Sequence, residues 1–143
     1  MNKRIKTSIQ MIADYDNEYS KFFDVAVEGS MPVLATRSLV LFPGIISPIL
    51  IGRKQSLSLL KYVNKLEDPI FTVFCQKDNN VEKPEEKDLY RYGVYARLMK
   101  VIDMPGPGNN VTAIVQAMGR CELRKITRLT PYIVGDVAPA RED

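Results

Sequence analysis

Apolar residues recur with a period of two along most of this chain and with a period near 3.6 over one segment, and the contrast sets out its elements. Residues 33–42 form an apolar run interrupted by Thr36-Arg37-Ser38, and residues 45–51 a second run, apolar on both strand faces except at Ser47 and Pro48. Phe42-Pro43-Gly44 makes a corner between them, because proline presets φ and glycine accepts φ > 0. A run of this kind, bounded by Pro-Gly and Gly, predicts a largely buried strand. Pro48 cannot donate to a ladder and belongs at an edge or a bulge. Gly52 then opens a helix. Leu59, Tyr62, Val63 and Leu66 fall at i, i+3, i+4 and i+7, Leu57 and Leu60 widen that face, and Pro69 stops it. Residues 70–76 are β-branched and aromatic and predict a strand ended by Asp78-Asn79-Asn80. Residues 82–88 are charged, with Pro84 suited to the first turn of a short helix. Residues 94–102 and 111–118 predict a long hairpin with a wide Pro-Gly-Pro-Gly-Asn-Asn loop. Residues 120–129 alternate, placing Arg120, Glu122, Arg124 and Arg128 on one strand face and Leu123 and Leu129 inward. Residues 132–137 make a last strand.

These elements give about six strands and one main helix, so the fold class is mainly β (α+β), arranged as a small, partly closed barrel. Residues 1–29 differ from the rest. Ile5, Ile9 and Ile12 are spaced for an amphipathic helix, and Tyr15, Tyr19, Phe22 and Phe23 sit among acidic residues. This is read as an amino-terminal extension, mobile or partly helical, or as an arm that docks on a neighbouring subunit. The β domain is placed at residues 30–137 and the start of a linker at 138–143.

Composition narrows the chemistry. With 45% hydrophobic and 26% charged residues the chain is an ordinary globular protein of 143 residues. A net charge of +3 names neither nucleic acid nor membrane as a partner. No apolar run approaches the ~20 residues that span a bilayer, and the basic Lys3, Arg4 and Lys6 are not followed by the apolar core of a signal peptide. Cys75 and Cys121 lie in strand-like runs and read as buried free thiols, which makes the cytoplasm the expected location. The chain has no histidine, so Ser-His-Asp and Cys-His catalysis and the commonest zinc ligand are excluded. Glu82, Glu85, Glu86 and Asp88 read as a solvated loop neutralised by Lys83 and Lys87, with a metal or acid-base site as the alternative. The glycines near Gly106 and Gly108 are no phosphate cradle, because no Gly-Lys-Ser/Thr follows and no helix opens. The expectation is a chain with no catalytic, cofactor-binding or metal-binding residues.

Pro32-Val33-Leu34, Arg37, Phe42-Pro43-Gly44, Pro48 and Gly52-Arg53 resemble, in order and spacing, the start of the amino-terminal domain of Lon, the ATP-dependent protease family. Leu89-Tyr90, Gly93-Val94, Ala96, Met104-Pro105 and the stretch from Ile114-Val115 to Arg120 continue the resemblance. Ala35, Thr36, Ser38, Gln116 and Ala117 depart from it, and residues 107–110 lengthen the hairpin. The resemblance implies a six-stranded, PUA-like pseudobarrel with one main helix. It also implies a non-catalytic part of a homohexameric AAA+ serine protease, helping to select unfolded polypeptides and to hold the hexamer together. ATP and Mg, and a Ser-Lys dyad, would belong to the implied full-length protein, of which this chain reads as a piece. Recognition of unfolded chains wants adaptable exposed apolar groups, and Phe42, Ile45, Met99 and Met104, near predicted turns and strand ends, are the substrate-contact candidates. Two alternatives stay open: a PUA-like nucleic-acid-binding module using the arginine strip, and a stand-alone oligomerisation domain using the aromatic arm.

Overall fold

The computed structural model describes residues 27–37, 41–108 and 110–140. The amino-terminal helix and arm expected before residue 27 lie outside them, as do residues 38–40, 109 and 141–143. The order of elements is β1 (Gly29–Thr36), β2 (Ile46–Ile51), α1 (Lys54–Val63), β3 (Ile70–Cys75), β4 (Tyr92–Asp103), β5 (Val111–Arg128) and β6 (Ile133–Pro139).

The sheet runs β2-β5-β4-β3-β1-β6, and β5 also pairs with β6. Five strands therefore close into a ring, and β2 is appended to it as an edge. Only β1 and β3 are parallel, which requires the crossover that β2 and α1 supply. The closure depends on the length of β5, 18 residues. Its first half pairs with β2 and β4, and its second half with the start of β4 and with β6. The fold is the mainly-β, six-stranded arrangement with one main helix that the pattern predicts.

Two apolar cores flank this ring. Leu34, Phe71, Val73, Ala96, Leu98 and Val115 pack under α1 through Leu59, Leu60 and Val63. Val33, Phe74, Tyr95, Met118, Cys121 and Ile133 form the second. β1 and β3 feed alternate residues to each, so they are buried on both faces and read as continuous apolar runs. β4 passes so close to β3 at Gly93 that a Cβ there would collide with the Val73 carbonyl and the Phe74 ring. At the corner before β2, Gly44 adopts φ 90, and its N–H donates to the Ala117 carbonyl at 2.9 Å.

Several elements differ from the sequence reading. The helix ends at Val63, and Asn64, Lys65 and Leu66 close it with backbone bonds to Leu60, Tyr62 and Val63. Leu66 thus lies past the helix. Tyr62 faces solvent and stacks on Tyr132, with ring centroids 5.3 Å apart. The short helix after Pro84 shrinks to one 3-10 turn, Glu86–Asp88, closed by reciprocal bonds between Glu85 and Asp88. β6 continues through Pro139, which pairs with Cys121, and the Ala140 N–H donates to Arg120. The sheet thus runs past residue 137, where the sequence reading ends the domain. At the other end the Tyr95 hydroxyl donates to the Val27 carbonyl. β2 is not buried on both faces: Ile49 and Ile51 enter the core, while Ile46, Pro48 and Leu50 face out. Cys75 is half-buried and Cys121 buried, and both are free.

Candidate functional site

β2 buries Ile49 and Ile51 and leaves the side chains of its other face uncovered. Cross-strand partners share a face of the sheet, so its outward residues extend into rows across β5 and β4. Ile46 aligns with Gln116 and Arg97, Pro48 with Ile114 and Lys100, and Leu50 with Thr112 and Ile102. A bulge between Leu98 and Lys100 pushes Met99 out of the ladder, where its side chain is exposed. Met104 joins the same face, with its Sδ accepting from the Thr112 hydroxyl at 3.1 Å. The result is an apolar surface of Ile46, Pro48, Leu50, Ile114, Met99, Ile102 and Met104, with Arg97 and Lys100 as its cations. Leu50 is 67% exposed. The Arg97 guanidinium is tied to Asp68 at 2.5 Å.

Phe42, 66% exposed, lies elsewhere. With Pro43 it borders a shallow groove of about 420 Å³ shared with Tyr90 and Tyr92, and the Arg120 guanidinium sits 6.0 Å from the centre of the Tyr92 ring. Ile45 is exposed, next to Ile46 in sequence. Of the four candidates, the structure puts Met99 and Met104 on one face and Phe42 on another. The sequence reading passed over Ile46, Leu50, Ile102, Tyr90 and Tyr92. Position in β2 signals the first two only once one of its faces is known to be uncovered.

Arg120, Glu122 and Arg124 share the outer face with Cys121 and Leu123 inward, as the alternation predicts. β5 bulges between Leu123 and Lys125 and again between Ile126 and Arg128, so beyond Arg124 the alternation is lost and Leu129, expected inward, is exposed. Each arginine has its own neighbour: Arg120 stands over Tyr92, Arg124 lies 3.3 Å from Glu28, and Arg128 stands over Tyr132. The carboxylates of residues 82–88 are likewise put to local use. Glu82 pairs with Arg37 at 3.1 Å, Asp88 accepts from the Glu85 N–H, and Glu86 accepts from the Ile126 N–H at 2.7 Å. Among the described residues no three carboxylates or thiols converge as metal ligands, and no helix is long and apolar enough to cross a membrane.

Residues 30–143 match the family model for the ATP-dependent protease La (LON) substrate-binding domain. The chain belongs to the Lon substrate-binding domain family. It is 39% identical over 122 residues to the Lon protease of Porphyromonas gingivalis, covering 85% of this chain and 14% of that protein. Against the Lon protease of Parabacteroides distasonis it is 35% identical over 124 residues, 87% of this chain and 15% of that one. The chain thus spans about one-seventh of the Lon proteases it matches. Its fold is that of solved Lon amino-terminal domains. One from the Mycobacterium avium complex superposes with a TM-score of 0.62 at 16% identity, covering 80% of this chain and 56% of that one. One from Xanthomonas campestris gives 0.58 at 19%, covering 80% and 61%. In this Lon domain the outward face of β2, β5 and β4 leaves Ile46, Leu50, Met99, Ile102 and Met104 exposed together.

Proposed function

We propose that this Lon domain receives unfolded polypeptide on the outward face of β2, β5 and β4, as part of a hexameric ATP-dependent protease in the cytoplasm. The observation that carries the reading is the contiguity of Ile46, Leu50, Met99, Ile102 and Met104 on three registered strands. Exposed apolar patches rimmed by polar groups mark interaction surfaces, and methionine adapts to many side chains. ATP hydrolysis with Mg, and peptide cleavage by a Ser-Lys dyad, are assigned in this reading to the rest of the protease. The chain itself carries no Gly-x-x-x-x-Gly-Lys-Ser/Thr loop.

One face of one domain offers a small contact, so affinity is low, with Kd of order 10–1,000 μM. Several copies acting on one chain raise it by effective concentration. A fluorescent, unfolded, aromatic-rich polypeptide titrated into wild type, Leu50→Asp and Met99→Asp tests this. Each variant is expected to weaken binding about tenfold, roughly 1.4 kcal/mol, with stability changed by less than ~1 kcal/mol because both side chains already face solvent. Unchanged binding in both variants would refute the assignment of this face.

A further inference from the structure

A cleft of about 630 Å³ lies between residues 34–37 on one side and 48–51 on the other. Both walls are strand edges. Among the described residues β1 pairs with β6 only up to Val33, so residues 34–36 have a strand partner on the β3 side alone. Among them β2 pairs only with β5. Arg53 and Ser56, at the entrance to α1, also line the cleft.

Buried polar atoms with unmet hydrogen-bonding capacity gather there. The Thr36 side chain is buried, 6% exposed, and its Oγ1 has no hydrogen-bond partner. Arg53 bonds Gln76 through Nη2, while its Nη1 is buried and unpartnered. Burial and the neighbouring charge of Arg37 pull the Arg53 guanidinium below its usual pKa, with Glu82 acting against them. α1 has no side-chain cap and no acidic residue in its first turn. Its first bond runs from the Leu57 N–H to the Arg53 carbonyl, so the amides of residues 54–56 have no acceptor within the helix. Buried donors are rarely left unpaired in folded proteins, and a cluster of them calls for an acceptor. Unpaired helix amides add a positive end to the same place.

Resting on the reading that this domain takes polypeptide, we infer that the cleft between β1 and β2 binds a carboxylate carried by an extended polypeptide. Arg53 and Arg37 are its cationic partners, and the Thr36 hydroxyl and the first turn of α1 its further donors. The place already takes a carboxylate: Glu82 lies 3.1 Å from Arg37, and at 82% exposure it is free to swing aside for a ligand. The carrier follows from the walls. Two strand edges left unpaired among the described residues offer hydrogen bonds to an extended main chain.

The test uses short apolar peptides of one sequence in fluorescence polarisation: with a free carboxy terminus, amidated, and amidated with one internal aspartate. At least one carboxylate-bearing peptide is expected to bind five- to tenfold more tightly than the neutral one, and which of them does names the source. Three variants locate the site. Arg37→Gln should erase the difference. Glu82→Gln, which removes the competing carboxylate, should enlarge it two- to fivefold. Thr36→Val should raise Tm, because an unpaired buried hydroxyl is gone, yet weaken the carboxylate preference. Equal binding of all three peptides overturns the inference while leaving the polypeptide reading in place. Failure of every peptide to bind overturns both.

Discussion

The Cys121 thiol is buried in the second core, and burial pushes its pKa up to about 12. Burial likewise raises the pKa of the Tyr95 phenol beside it. Both groups fold in their protonated forms. Their contribution is complete below the pH at which the unfolded groups ionise, and it is lost as pH climbs toward the folded values. Stability should therefore fall as pH rises from about 9 to about 12. Urea unfolding under reducing conditions at pH 7.5, 9 and 10.5 checks this. Cys121→Ala should remove the early part of the loss and leave the Tyr95 part, which sets in above about pH 10. A wild-type midpoint that does not move up to pH 10.5 would contradict the burial of Cys121. The burial of Cys121 was legible in the sequence from its place in an alternating strand. The half-exposure of Cys75 was not, because the groove it lines with Phe42 and Tyr90 is built from segments far apart in sequence.

At the scale of elements, β2 shows how the chain guards an exposed edge. The Ala117 N–H donates to the Ile45 carbonyl, which puts Ile46, Pro48 and Leu50 at positions whose backbone groups point away from β5. Proline there sacrifices no ladder bond and removes a donor from the open edge. Pro48→Val should leave the fold intact and promote self-association, seen as a concentration-dependent rise in light scattering. A strictly monomeric Pro48→Val would contradict this role. The placing of Pro48 at an edge or a bulge was legible from its missing N–H alone. Which face of β2 is wet was not, because an apolar run looks the same whether one or both faces are covered. The bulges in β5 were equally hidden. Nothing in residues 124–128 marks which of them is left out of register, so strict alternation put Leu129 inward where it is exposed. The helix face misled at Tyr62 for a related reason: a stacking partner on the surface, Tyr132, lies seventy residues on.

For the whole molecule, β5 supplies Val115 to one core and Met118 and Cys121 to the other, so the two cores share one strand. They should unfold together. Phe74→Ala, in the second core, is expected to cost about 3–5 kcal/mol and to speed amide exchange at the helix-side residues Leu59 and Val63 as much as near the mutation. Loss of protection confined to the second core would show two separable units. The overall architecture was legible from strand count, one helical segment and the Phe-Pro-Gly corner. A partly closed barrel was expected as well, but not which strand closes it, since that needs β5 to be read as one strand where the pattern suggested two. The central claim is that the face of β2, β5 and β4 takes unfolded polypeptide by apolar contact. Its most direct test is an amide-resolved NMR titration with an unfolded, aromatic-rich, carboxylate-free polypeptide at low and moderate salt. Shifts are expected to cluster at residues 46–50, 97–104 and 112–116, little altered by salt because apolar contact is not screened. No shifts at millimolar peptide, or shifts confined to Arg120, Arg124 and Arg128 that vanish as salt is added, would contradict it.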